Sequence, residues 1–164
     1  MSIRWIEKKI NEYLNKLLET KDEDFVIASD TDSIYVTFDR LVNRVFKEGR
    51  DVQKIVNFLD TIATEKIEPF IDKSYQALAQ MMCAYDQKMF MKREVIADKG
   101  IWTAKKRYIL NAWDVEGVRY KEPQLKVMGI EAVKSSTPAP CRAKIKEALN
   151  LSLIHISEPT RLLA

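Results

Sequence analysis

Apolar residues recur at three- and four-residue intervals from the start of the chain, at Ile3, Ile6, Ile10, Leu14 and Leu17, and predict an amphipathic helix over 4–19 that packs on a sheet. The charged run Lys21-Asp-Glu-Asp24 closes it. Two short segments rich in strand formers follow, 25–29 and 34–38, with Asp30-Thr31-Asp32-Ser33 between them as a hairpin tip. Asp39 is placed to cap a short helix through Leu41, Val42, Val45 and Phe46, ended by Gly49. Asp51 is placed to cap a longer one with Val52, Ile55, Val56, Leu59, Ile62, Ala63 and Ile67 on one face. Glu68-Pro69 is expected to interrupt it, because proline disfavours a helical residue before it, and a further helix runs from Phe70 to Met82.

From Lys88 the pattern turns to extended segments, 89–97, 101–114, 118–120 and 125–128, with turns expected at Asp98-Lys99-Gly100 and Val115-Glu116-Gly117. Gly129 closes this sheet region. Thr137 as cap and Pro138 as first helical residue then open a helix over 139–150.

A chain of 164 residues accommodates one modest domain, and no apolar run approaches the ~20 residues of a membrane span. The charged amphipathic start carries no signal core, so a cytoplasmic protein is expected. Cys83 and Cys141 match no metal or disulfide spacing and read as reduced structural thiols. The segment 151–161 resembles an in-frame translation of a transposase adapter used in sequencing libraries, so 151–164 is read as a non-native tail. His155, the single histidine, lies inside it, which removes histidine-dependent nucleophilic catalysis and histidine-ligated zinc from the candidate chemistries.

Two chemistries stay open. Asp30 and Asp32 place two carboxylates at i and i+2, a density of charge that calls for a divalent cation, a Lys or Arg, or a shared proton. Oxygen-only ligation suits magnesium, while Asp and Ser are equally ordinary turn formers. Between Lys88 and Tyr108 seven basic residues face two acids, Glu94 and Asp98, although the net charge of the chain is only +3. Such a strip suits a polyanion, and it also suits a solvated sheet edge. If Lys105-Lys106-Arg107-Tyr108 is a strand, alternation puts Lys106 and Tyr108 on one face and Lys105 and Arg107 on the other.

Three features in order, the Asp hairpin, Lys105-Lys-Arg-Tyr108, and Lys126-Val-Met-Gly129 followed by Lys134-Ser-Ser-Thr-Pro138, make residues 3–150 resemble the family B DNA polymerases of large tailed bacteriophages. The family's palm hairpin reads Tyr-Gly-Asp-Thr-Asp-Ser, and here Ala28 and Ser29 stand where it has tyrosine and glycine. The resemblance implies an α+β fold: a partial palm over 1–134, its antiparallel sheet carrying the Asp hairpin and packed by helices, then the first thumb helix over 135–150. It implies that Asp32 ligates two catalytic Mg2+ ions, that Asp30 shapes the site and adds charge, and that Glu94 stands behind them or pairs with a basic neighbour. Lys105, Lys106, Arg107, Tyr108, Lys126, Lys134, Ser135 and Ser136 are implied to hold primer-template DNA, with Lys106 and Tyr108 favoured.

The reaction so implied is attack of a primer 3′-hydroxyl on the α-phosphate of a dNTP, clamped by two metals ~3.5–4 Å apart. The family's other metal-binding aspartate, its dNTP-binding fingers and its exonuclease have no counterpart in the chain, so no polymerisation by the chain alone is expected. The helical pattern begins at once, as in a chain cut from a longer frame or encoded by a split gene. The expected partners are the upstream polymerase portion, primer-template DNA, dNTP and, in the complete enzyme, a sliding clamp, in the cytoplasm of an infected host. A duplex-binding module without catalysis and a magnesium phosphohydrolase are the alternatives.

Overall fold

A computed structural model describes residues 2–47, 51–130, 135–154 and 162–163. The fold is α+β, and the chain divides into two compact units, one containing residues 1–94 and the other residues 95–162.

In the first unit, helix α1 (Ser2–Leu18) buries Ile6, Ile10 and Leu14 against helix α4 (Glu68–Met81) and strand β1 (Val26–Ser29). Its apolar stripe therefore packs on a helix as well as on a sheet, and Leu17, expected in that stripe, is exposed. The Asn15 side chain ties the loop after α1, donating to the Glu23 carbonyl at 2.7 Å and accepting from the Glu23 amide at 3.0 Å. Strand β1 pairs antiparallel with β2 (Ile34–Thr37) through a bulge between Val26 and Ala28. Phe25, Ile34, Tyr35, Val36 and Phe38 are buried and anchor the hairpin.

Helix α2 (Asp39–Val45) starts with Asp39 as its first residue; Phe38 holds the capping position, with no side-chain cap, so the expected Asp39 cap is not formed. Phe46 ends α2, and Gly49, expected to do so, lies outside the described residues. Asp51 does cap helix α3 (Val52–Ile62), accepting from the Gln53 amide at 3.1 Å. The expected break at Glu68-Pro69 is absent. A π-helical turn, Ala63–Ile67, joins α3 to α4, and Glu68 keeps helical angles of φ −58° and ψ −49°. Proline sits in the first turn of α4, where its missing amide leaves little unsatisfied, and the π-turn before it accommodates the change of register.

The second unit is an antiparallel meander of β3 (Val95–Ala104), β4 (Arg107–Val115) and β5 (Val118–Met128). Asp98-Lys99-Gly100, expected as a turn, lies inside β3: Lys99 pairs with Asn111 and Gly100 with Leu110, while the register shifts around Asp98. A turn-prone triplet is here absorbed as a bulge in a long strand. The β3–β4 turn falls instead at Lys105-Lys106. The expected turn at Glu116-Gly117 is present, both residues having positive φ. It is held by the buried Asp114 carboxylate, which accepts from the Gly117 amide at 3.0 Å and from Arg119 Nε at 3.3 Å.

Helix α5 (Ala139–Ile154) begins at Ala139, with Pro138 just before it and not its first residue; the Pro138 carbonyl accepts from the Arg142 amide at 3.0 Å, and the helix continues past residue 150. Residues 139–152 include no buried side chain. Leu162–Leu163 forms a two-residue strand, β6. Cys83 and Cys141 are free as expected, but both are exposed and so are not core residues. Among the described residues no helix is long and apolar enough to cross a membrane.

Candidate metal and nucleic-acid site

The two aspartates of the first hairpin differ in their surroundings. The Asp30 amide donates to the Ser33 carbonyl at 2.9 Å, closing the turn. The Asp30 carboxylate folds back on the tip, its Oδ1 accepting from the Thr31 amide at 2.8 Å and from the Thr31 hydroxyl at 3.3 Å. Asp32 is exposed, and none of the described residues offers its carboxylate a hydrogen bond or ion pair. One acid is thus occupied in shaping the turn, and the other is available to a ligand.

Asp32 opens onto a cavity of about 160 Å³ within the first unit. Its apolar wall comes from Ile34 and Val36 of β2, Ile10 of α1 and Ile67 and Ile71 of the helical layer, and its polar wall from Asp32, Ser33, Glu68, Lys92, Arg93 and Glu94. Glu94 is exposed on the same cavity as Asp32, so the fold brings these two predicted acids together. The segment that carries Glu94, residues 84–94, has no regular secondary structure and is tied by side chains. Arg93 Nε lies 2.8 Å from Asp60 Oδ1, with the arginine side chain only 8% exposed, and the Arg93 amide donates to Glu68 Oε1 at 3.0 Å. The Tyr75 hydroxyl donates to Met91 Sδ at 3.6 Å, and burial raises the Tyr75 pKa above the ordinary tyrosine value.

The acids of the polar wall, Asp32, Glu68 and Glu94, offer oxygen donors of the kind a hard cation takes, and Lys92 and Arg93 add positive charge beside them. Among the described residues there is no group of three or more His, Cys, Asp or Glu disposed to hold a metal. The carboxylates of Asp32 and Glu94 are of the oxygen type that magnesium takes together with water and phosphate oxygens.

In the second unit the basic run is a hairpin turn and not a continuous strand. Lys105 and Lys106 form the turn, Lys106 at φ 61°, and β4 begins at Arg107. Lys106 and Tyr108 are therefore not placed on one face by strand alternation, the arrangement expected of a continuous strand. Lys105, Lys106 and Arg107 are exposed, and Tyr108 is half-buried opposite Trp102 on β3, their ring centroids 6.5 Å apart. Register pairs Tyr108 with Met128 and Leu110 with Lys126, which puts Tyr108 and the half-buried Lys126 on one face of the meander. Gly129 explains the tight seat of the turn: its φ is 67°, and a Cβ there would overlap the Lys106 carbonyl oxygen and meet Arg107 Cγ at 3.2 Å. Ser135 and Ser136 are exposed in the turn before α5, and Lys134 lies outside the described residues.

The residues that sequence reasoning passed over are Asp60, Glu68, Asp114 and Trp102. An eight-residue spacing across a predicted break carries no motif, and Asp114 sits in a strand where only pairing shows that it faces inward. Their common signal would have been acids or aromatics among buried apolar positions.

A model of the divergent family B DNA polymerases matches residues 17–163. The chain is 46% identical over 162 residues to the DNA-directed DNA polymerase of Escherichia phage RB69, covering 93% of this chain and 18% of that protein. It is 43% identical over 161 residues to the DNA-directed DNA polymerase of Enterobacteria phage T4, covering 91% of this chain and 18% of that one. The chain thus spans less than a fifth of the length of these relatives, and with a match of this extent it belongs to the divergent family B DNA polymerases.

Proposed function

We propose that the chain is part of the palm of a replicative DNA-directed DNA polymerase, with residues 1–134 the later half of the palm and 135–150 the opening of the thumb. The observation that carries this reading, beside family membership, is the difference between the two aspartates. Asp30 is consumed by the turn, and Asp32 presents an exposed carboxylate at the mouth of a cavity that Glu94 also lines. In this reading Asp32 is the metal-ligating acid and Asp30 a positioning one. Bound magnesium supplies activation of the primer 3′-hydroxyl and stabilisation of the leaving oxygen.

The protein's own part is to fix Asp32 on a hairpin anchored by Ile34 and Val36, and to hold DNA with cations that read no sequence. Lys105, Lys106 and Arg107 meet the phosphates from the tip of the β3–β4 hairpin. Tyr108, supported by Trp102, lies against the duplex, with Lys126 on the same face. Lys134, Ser135 and Ser136 complete the phosphate contacts. The dNTP clamp, the remaining metal-bridging carboxylate and any sliding-clamp contact belong to polymerase sequence outside this chain, so the chain alone does not extend a primer.

Placed in a complete polymerase of this family, Asp32→Asn is expected to slow extension on the order of a hundredfold or more, the scale of losing one electrostatic contact to the transition state, with duplex affinity little changed. Unchanged extension would move the function from catalysis to duplex binding. Primer extension by the isolated chain would remove the claim that it is incomplete as a catalyst.

A further inference from the structure

We infer that Asp60 and Glu68 are positioning residues for Glu94, acting as a two-point clamp on Arg93 that the π-turn Ala63–Ile67 brings into register. The inference rests on the proposed metal role of the Asp32 cavity. Asp60 lies in α3 and Glu68 opens α4, eight residues later. On an uninterrupted α-helix, residues eight apart diverge by about 80° around the axis. The wider π-turn between them changes that phase, and both acids meet the same residue, one at its guanidinium and the other at its amide. π-turns inside α-helices are frequently functional, and this one has a geometric consequence.

The clamp matters because residues 84–94 lack a strand ladder or helix to fix them. Arg93 is tied at both its amide and its guanidinium, with its side chain almost wholly buried. Glu94 is the next residue, on the cavity that Asp32 also lines. Glu94 stands between Arg93 and Val95, the first residue of β3, so release of Arg93 loosens Glu94 from one side and lets the second acid move on the cavity that Asp32 lines.

The test uses the full chain and two readouts, amide hydrogen exchange at Arg93 and Glu94, and Mn2+ binding followed by electron paramagnetic resonance. Glu68→Ala removes the acceptor of the Arg93 amide and is expected to speed exchange at Arg93 and Glu94, and to weaken Mn2+ binding, by about fivefold each, the scale of one hydrogen bond. Asp60→Ala is expected to act in the same direction. Glu68→Gln keeps an acceptor oxygen at the same place and is expected to restore both readouts toward the parent chain. Unchanged exchange in Glu68→Ala overturns the clamp. A Glu68→Gln chain that loses Mn2+ as fully as Glu68→Ala overturns the positioning role and makes Glu68 a ligand. If the parent chain binds no Mn2+, the metal reading of Asp32 falls, and exchange at Arg93 and Glu94 alone decides the clamp. Should Asp60→Ala fail to fold by circular dichroism, the Glu68 pair carries the test.

Discussion

The two hairpin turns of this chain carry opposite charge and are held in different ways. At 30–33 the tip is stabilised from within: Asp30 bonds to Thr31 and its amide closes on Ser33, and the strands beneath insert Ile34 and Val36 into a helical core. At 105–106 the tip is stabilised from outside: Lys106 takes a positive φ, and the carbonyl it presents is seated against Gly129 at the far end of β5. The acidic tip adds side-chain hydrogen bonds to its main-chain closure, and the basic tip relies on a close approach of main chain to main chain. In both, the residues with functional potential, Asp32 and Lys105, are exposed and contribute little to the fold. The stability of each turn lies in other residues of the same motifs, Asp30 and Thr31 at the first tip and Gly129 at the second.

That contrast can be broken at its strongest point first. Gly129→Val forces a side chain into the Lys106 carbonyl at a positive φ and is expected to destabilise the second unit by about 3 kcal/mol, which urea unfolding followed by Trp102 and Trp113 fluorescence would measure. Asp114→Ala removes the acceptor of Arg119 Nε and of the Gly117 amide, and is expected to cost about 3 kcal/mol in the same unit while leaving the first unit, reported by Trp5, unchanged. Asp51→Ala removes a helix cap from the first unit at about 1 kcal/mol, a loss that Trp5 fluorescence would register and the second unit would not.

Smaller effects sharpen the functional side. Asp32→Asn is expected to change stability by no more than about 0.5 kcal/mol, since nothing in the described structure bonds to it; a larger loss in thermal unfolding would make Asp32 a structural residue. On duplex DNA, Lys105→Ala is expected to lower the slope of log affinity against log salt by about one in fluorescence anisotropy, without altering unfolding. The mildest prediction concerns pH. Burial keeps the Tyr75 phenol protonated to higher pH in the fold than in the unfolded chain, so its contribution is fully present below the ordinary tyrosine value of about 10 and is lost as pH rises through the raised value. Tyr75→Phe removes that alkaline slope in pH-dependent denaturation.

Much of the fold was legible because it is local. The spacing of Ile6, Ile10 and Leu14 encodes α1, and Asp51 before an apolar helical face encodes the start of α3. Asp30 and Asp32 between strand-forming runs encode the hairpin. The errors arose where local signals conflict with pairing. Asp98-Lys99-Gly100 has turn composition, yet eight of the ten residues of β3 pair along β4 and the triplet yields to that ladder, with Asp98 accepting from Asn111 Nδ2 at 2.7 Å. Lys105-Lys106 has no glycine and takes the turn because the strands on either side leave no other place for it. Glu68-Pro69 reads as a break, yet the π-turn carries the helix through it.

The order of residues alone places two carboxylates at a hairpin tip, a cluster of cations further on, and a family pattern linking them, because these depend on neighbours a few positions apart. Tertiary structure alone separates Asp30 from Asp32 and turns Lys105-Lys106 from a strand into a tip. It also ties Arg93 to acids 33 and 25 positions earlier, Asp60 and Glu68, setting Glu94 on the Asp32 cavity. Those outcomes depend on which distant groups compete for the same hydrogen bonds and the same buried volume, and that competition is decided only when the helices and strands pack.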